Sequence, residues 1–355
     1  MTQILTWLHF SDVHYCEPRT GWDAERIHDA LIGDLKRLQS DENLQPDLIF
    51  FTGDAAFGHV PHGPHPSTIA EQFSGFTTFM ESVRKSFRPA VRKNNVFLVP
   101  GNHDVNRTLV APAIRDWLRN CRDDYRNGLF QITRAIHDQD ADWKSFIQGL
   151  DDFRAFLKSG PYQHLLDSDS RLTFACSRRI RGIRVAVVGL NSAWTCGSKD
   201  QRSHIWLAGK WQIQEMKRRL TLSPHLSIAL VHHPPDWLVE NESVDVDLRL
   251  RREFDFCLHG HTHQGSATPI DNANGSKHFR IAAGACYTKE DEANRSGYNI
   301  VRLDLENGTG EIWFRRFADP MLGEWTADTT QALDARGVFP LLGTPRLTAS
   351  VASLT

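Results

Sequence analysis

Short apolar runs alternate with amphipathic stretches along the first hundred residues. Ile4–Phe10 reads as a buried strand that ends in a polar turn. From Ala24 to Leu38, Ile27, Leu31, Leu35 and Leu38 recur at a helical period with charges between them. Residues 47–52 (DLIFFT) predict the next strand and Phe73 to Phe87 a second helix. Residues 95–99 (NVFLV) predict a third strand, halted by Pro100-Gly101. This alternation predicts an α/β chain with a largely parallel sheet and helices on its faces. Such a sheet places its site at the carboxyl ends of its strands.

From Ala111 to about Ser170 the pattern changes. Trp143, Phe146, Leu150, Phe153 and Leu157 keep helical spacing, so 111–170 is read as a helical insertion, either a cap over a site or a surface elaboration. Strand patterning returns at 183–190 and 227–231, with a helix across 211–220 between them, and again at 254–258 and 280–285. Residues 298–305 and 310–317 read as a hairpin closed through Glu306-Asn307-Gly308-Thr309. Beyond Asp319 no period is clear. The expectation is therefore one domain over 1–320 and a tail, wrap or linker over 321–355.

Five polar signatures fall in order along this pattern: Asp12-Val13-His14, Gly53-Asp54, Gly101-Asn102-His103-Asp104, His232, and Gly260-His261-Thr262-His263. Four of them directly follow a strand-like run. Each is weak alone, since Gly-Asp is an ordinary turn pair. Jointly they bring aspartates, an asparagine and histidines to strand ends, a donor set suited to a pair of metal ions. A carboxylate can bridge two cations, and a water shared by both is acidified into a nucleophile near neutral pH. No sulfur is among the donors, so Mn, Fe, Zn, Co or Ni fit and a thiolate-preferring site does not. A loop with His59, His62 and His65 follows the Gly-Asp signature and reads as a solvated loop or a substrate-contacting rim. Asn191 follows a strand and is a weaker side contact. His9 and His259 sit in apolar runs and read as core or supporting histidines.

Composition narrows the partners. Of 355 residues, 40% are hydrophobic and 24% charged, and the net charge of −2 carries no global basic field for nucleic acid. Two local basic runs, Arg178-Arg179-Ile180-Arg181 and Arg249-Leu250-Arg251-Arg252, read first as solvated faces and second as a polyanion track. Six scattered cysteines without a CxxC pattern fit reduced thiols in a cytoplasmic protein. No signal-like segment is seen, and no apolar stretch approaches the ~20 residues that span a bilayer.

The ordered blocks DxH, GDxx, GNH[DE], H and GHxH resemble the calcineurin-like metallophosphoesterase superfamily over roughly residues 4–318. The resemblance implies a four-layer αββα sandwich. It also implies two divalent metals, manganese favoured. Asp12, His14, Asp54 and His263 would hold one metal; Asp54, Asn102, His232 and His261 would hold the other, with Asp54 bridging. His232 is preferred over His233, left as a substrate or supporting residue, because the family's ligand stands two residues before a proline, here Pro234. His103 is the implied catalytic residue, acting on the phosphate or the leaving oxygen, with Asp104 orienting its imidazole. The implied reaction is hydrolysis of a phosphodiester by metal-bridged hydroxide, on a nucleotide or cyclic nucleotide. Nuclease, phosphomonoesterase and non-catalytic scaffold are the alternatives. The PGNHDVNR stretch (100–107) further resembles phosphoesterase modules of bacterial proteins.

Overall fold

A computed structural model describes residues 3–62, 65–166, 171–197, 202–287, 296–319, 323–332 and 334–347. The chain opens with β1 (Ile4–Phe10), α1 (Glu17–Glu42), β2 (Leu48–Phe51), α2 (Ile69–Ser86) and β3 (Val96–Leu98). Four helices follow: α3 (Pro112–Asp123), α4 (Tyr125–Asp138), α5 (Ala141–Ile147) and α6 (Asp151–Ser159). Then come β4 (Phe174–Ile180), β5 (Ile183–Gly189), α7 (Gly209–Arg219), β6 (Leu226–Leu230), α8 (Glu240–Glu253) and β7 (Phe256–His259). The last strands are β8 (Ser266–Asp271), β9 (Lys277–Ala282), β10 (Gly297–Asp304), β11 (Thr309–Asp319), β12 (Glu324–Ala327) and β13 (Val338–Leu342).

These strands form two sheets. One runs β12-β11-β10-β1-β2-β3, with β13 also on β11; the other runs β4-β5-β6-β7-β9-β8. Parallel pairing is confined to β1-β2-β3, at one end of the first sheet, and to β5-β6-β7-β9, the middle of the second. The remaining pairings are antiparallel, so each sheet is mixed rather than largely parallel. The sheets face each other through an apolar core in which Trp7 of β1 meets Phe256 of β7 edge-on at 5.2 Å. Helices α1 and α2 pack beside the first sheet, α7 and α8 beside the second. The mixed α/β class and sandwich architecture expected above are thus borne out.

Local departures have local causes. Helix α1 starts seven residues before the periodic stretch, with Pro18 in its first turn, and kinks at Gly21, whose φ of 55° leaves the helical region. Strands β4 and β8 and helix α8 escaped the patterning because each mixes charged and exposed positions with few apolar ones. The segment after Asp319 is not featureless: β12 and β13 both add antiparallel to β11. The boundary expected at 320–321, residues 167–170 of the insertion and the chain from 348 lie outside the described residues. The insertion packs onto the core through Phe156 on Phe73 (4.7 Å, stacked) and Trp143 on Trp194 (5.4 Å, edge-on). It is also tied to the Gly101–Asp104 loop, because Asn106 donates its N–H to the Gly149 carbonyl and its Nδ2–H to Asp152.

Candidate metal centre

The carboxyl ends of β1, β2, β3, β6 and β7 converge, and the polar signatures lie on the turns that leave them. Strand ends free the backbone from ladder pairing, and here it bends sharply. Asp12, His14, Asp54, His261 and His263 all take positive φ, between 48° and 67°. Non-glycine residues adopt this left-handed region at a cost, and it clusters at functional sites. Two glycines permit the close approach. A Cβ on Gly53, whose φ is 102°, would lie 2.5 Å from His232 Nδ1, and one on Gly101 would run into the Asp54 carboxylate.

The candidate ligands gather into overlapping groups: Asp12, His14 and His263; Asp12, Asp54 and His232; His14, Asp54 and His103; and His232, His233 and His261. Within each group the donor atoms lie within 4.8 Å of one another. His232 Nδ1 donates to the Thr52 carbonyl at 2.7 Å. Its Nε2 then faces two acceptors, Asn102 Oδ1 at 3.0 Å and Asp54 Oδ2 at 3.3 Å. Three electron-rich atoms meeting this way require a proton or a cation between them. Burial alone would lower the His232 pKa, but the Asp54 carboxylate outweighs it and raises it to about 9. Across the cluster, His263 Nε2 lies 3.3 Å from Asp12 Oδ1 and 3.5 Å from His14 Nε2. Burial and neighbouring histidines push His14 down to about 4 and His261 to about 3, leaving both neutral as metal ligands must be. Although burial opposes it, the surrounding imidazoles hold Asp12 and Asp54 below the ordinary carboxylate range.

The donors also fit a cation by what they lack. Among the described residues, the buried Asp12 Oδ1, His14 Nδ1 and His261 Nε2 have no hydrogen-bond partner. Buried polar atoms are almost always satisfied, so such orphans mark a missing partner.

Not every expected contact is made. Asp104 does not orient His103. Its carboxylate turns back under the loop and accepts the N–H groups of Asp54 (3.0 Å), Ala56 (2.8 Å) and Gly101 (2.8 Å), tying two signature turns together. Burial and the Asp54 charge raise its pKa to about 7. The Phe57 carbonyl instead accepts His103 Nδ1–H at 2.6 Å, and the His103 N–H donates to Asp54 Oδ1 at 2.7 Å. Asn191 does not reach the cluster, because its Nδ2–H donates to the Arg171 carbonyl and its Oδ1 accepts from Ala193. His233 touches the cluster's edge, with its Nδ1 on Ser192 Oγ at 2.8 Å and its Nε2 3.9 Å from Cys196 Sγ. His59 is half-buried on the loop beside His103 and His62 is exposed, while Gly63 and Pro64 lie outside the described residues. His9 is a supporting residue: its Nε2 bonds the Thr52 hydroxyl beside the carbonyl that holds His232.

Two residues near the centre had no motif to announce them. Buried Gln72 of α2 accepts the N–H groups of Phe57 and Gly58 and donates to the Gly58 carbonyl, bracing the peptide that carries the His103 acceptor. Trp237 sets its ring edge-on to His261 at 4.0 Å. Both lie far in sequence from what they support.

A model of the calcineurin-like phosphoesterase family matches residues 5–265. The chain belongs to that family. Among curated proteins, the chain is 21% identical over 313 residues to the "Uncharacterized metallophosphoesterase-like protein YydB" of Bacillus subtilis (strain 168). The match covers 87% of this chain and 58% of that protein, so the chain spans little more than half of its relative. Among solved structures it is similar to "GAP50 the anchor in the inner membrane complex of Plasmodium". The TM-score is 0.50 at 10% identity, covering 97% of this chain and 90% of that one, a likeness of fold alone. It also matches the 5'-nucleotidase from Candida albicans SC5314 at a TM-score of 0.42 and 15% identity, over 84% and 47% of the two chains. The family uses divalent metal ions, and the aspartate–histidine groups above are candidates to hold them. No helix among the described residues is long and apolar enough to cross a membrane.

Proposed function

We propose that this phosphoesterase is a two-metal phosphodiesterase acting on a nucleotide-type diester, with manganese the favoured ion. One observation carries the reading: His232 Nε2, Asn102 Oδ1 and an Asp54 carboxylate oxygen converge, with Asp12 Oδ1 and His261 Nε2 unpartnered in the same cluster. Asp12, His14, Asp54 and His263 would hold one ion, and Asp54, Asn102, His232 and His261 the other. When bound, the pair supplies Lewis acidity toward the phosphoryl oxygens and an acidified water.

The chain's own groups do the rest. The Asp54 carboxylate is held in place by the His103 N–H and would offer its charge to both ions. His103 keeps Nδ1 on the Phe57 carbonyl, so Nε2 is the nitrogen left to donate to the phosphate or to the leaving oxygen. Asp104 keeps the Gly53 and Gly101 turns in register and takes no proton from the substrate. Six cysteines free of disulfides suit a reducing cytoplasm.

The basic runs disfavour the nuclease alternative. Arg178 binds the Asn94 carbonyl and Arg181 the Ile4 carbonyl and Asp47, while Arg249 and Arg251 pair with Asp245 and Asp247 on α8. A side-by-side assay of bis-p-nitrophenyl phosphate, p-nitrophenyl phosphate, cyclic nucleotides and DNA, with each of Mn, Fe, Zn, Co and Ni, tests the reading. Faster turnover of diesters, with little salt dependence, is expected. Preference for the monoester, or a steep fall of activity with salt on DNA alone, would overturn the assignment.

A further inference from the structure

The two histidines proposed for the second ion are held differently. Metal-ligating histidines are commonly aimed by a hydrogen bond at the ring nitrogen turned away from the ion. His232 has that bond, from Nδ1 to the Thr52 carbonyl at 2.7 Å. His261 has none: its Nε2 is buried without a partner, and no hydrogen bond from a described residue reaches its ring. Only its backbone is tied, by an N–H donated to Asp12 Oδ2 at 3.1 Å. An imidazole fixed at the backbone alone keeps side-chain freedom that an ion must remove on binding.

What surrounds the His261 ring is aromatic. The His233 ring lies 4.4 Å away at 56°, and the Trp237 ring 4.0 Å away, edge-on at 87°. His233 is itself fixed, with Nδ1 on Ser192 Oγ at 2.8 Å and Nε2 3.9 Å from Cys196 Sγ. Trp237 stands on a short turn that begins with Pro234 and Pro235, and its N–H donates to the Pro234 carbonyl at 3.0 Å. The turn is closed by Leu238 N–H on the Pro235 carbonyl at 3.0 Å and Val239 N–H on the Ile205 carbonyl at 2.9 Å. Two prolines with fixed φ leave such a turn few conformations, so the indole is presented from a stiff base. Edge-on packing is a favourable geometry for aromatic rings and resists their rotation.

We propose that Trp237 is the positioning residue of His261. By ring packing, with the fixed His233 on the ring as well, it does for His261 what the Thr52 carbonyl does for His232. The proposal rests on the two-metal reading, which makes His261 a ligand, and adds how that ligand is aimed. His232 and Trp237 lie on the same loop after β6, so the segment that supplies one ligand also sets the direction of another that arrives from β7.

The test is titration of Co²⁺ into the metal-free chain, followed by visible absorption, for the wild type, Trp237→Ala and Trp237→Phe. Trp237 is half-buried on a loop, and the denaturation midpoint of the same samples reports any cost to the fold. The wild type should take up about two ions per chain. Trp237→Ala should leave one binding step at its wild-type affinity and weaken the other ~10–100-fold. Trp237→Phe, which keeps a ring edge, should recover part of that loss. Two unchanged steps in Trp237→Ala, or both weakened alike with a lower midpoint, would overturn the positioning role and leave the two-metal reading standing. A wild type that takes up no cobalt would overturn both.

Discussion

Two buried polar clusters in this molecule contrast in how their atoms are paired. Around Asp34 of α1, every carboxylate lone pair has a donor. Arg315 of β11 binds both oxygens at 2.8 and 2.6 Å, Tyr298 of β10 donates at 2.5 Å, and Arg37 completes the ring. Arg315 and Arg37 also hold the Trp325 carbonyl, fixing β12 against α1. Around Asp54 and Asp12, charge is just as deeply buried, yet Asp12 Oδ1, His14 Nδ1 and His261 Nε2 have no hydrogen-bond partner among the described residues. A satisfied ionic cluster is structural. An unsatisfied one at strand ends, on strained backbone, is built to receive something. The difference lies in pairing rather than in burial or charge.

The largest effect should separate the two. Asp54→Asn should lower diester hydrolysis by ~10³-fold or more through loss of bound metal, with a smaller loss of thermal stability as His232 loses its charge partner. Asp34→Ala should do the opposite. Leaving Arg315 buried and unpaired should cost about 3–5 kcal/mol, seen as a lower denaturation midpoint, while activity per folded molecule persists. Stability losses of equal size in both variants would erase the contrast.

His103→Ala comes next. Turnover should fall ~10²–10³-fold while metal content stays near wild type, because its Nδ1 is committed to Phe57 and its role lies with the substrate. Loss of metal in step with activity would make it a ligand. Gln72→Ala should lower turnover less, about tenfold, and shift its pH profile as the Phe57 carbonyl loses its brace. Gln72→Glu keeps one acceptor and should recover part of the rate; a variant with wild-type turnover and profile would leave Gln72 a purely structural residue.

The smallest effect is a proton count. In the metal-free protein, the raised His232 pKa stabilises the fold fully below about 6.5, and that contribution is lost as pH climbs through about 9. Deprotonation over that window frees Nε2 for a cation, so metal affinity should rise with pH by up to about tenfold per unit. Titrations at pH 6.5, 7.5 and 8.5 in buffers of differing ionisation enthalpy would show about one proton released. A pH-independent affinity would place His232 outside the metal's reach.

Much of this is legible in the sequence. The β1, β2, β3, β6 and β7 strands announce themselves as apolar runs, and the order of polar blocks behind them indicates that Asp12, Asp54, Asn102, His232 and His261 meet. What patterning could not reveal depends on direction in space. Asp104 is next to His103 along the chain, yet its side chain points into the loop at three N–H groups. Asn191 follows a strand as the ligands do, but local turn bonds consume its amide. Strand β12 is four residues long and depends on pairing with β11 and on the Asp34 cluster, which no local period encodes.

The most direct test of the contrast is metal stoichiometry by elemental analysis of the purified wild type and of Asp54→Asn and Asp34→Asn, after incubation with manganese and desalting. The account predicts about two ions per chain in the wild type and in the Asp34 variant, and about one or none in the Asp54 variant. A wild type that retains no metal, or an Asp54 variant that retains the full complement, would contradict it.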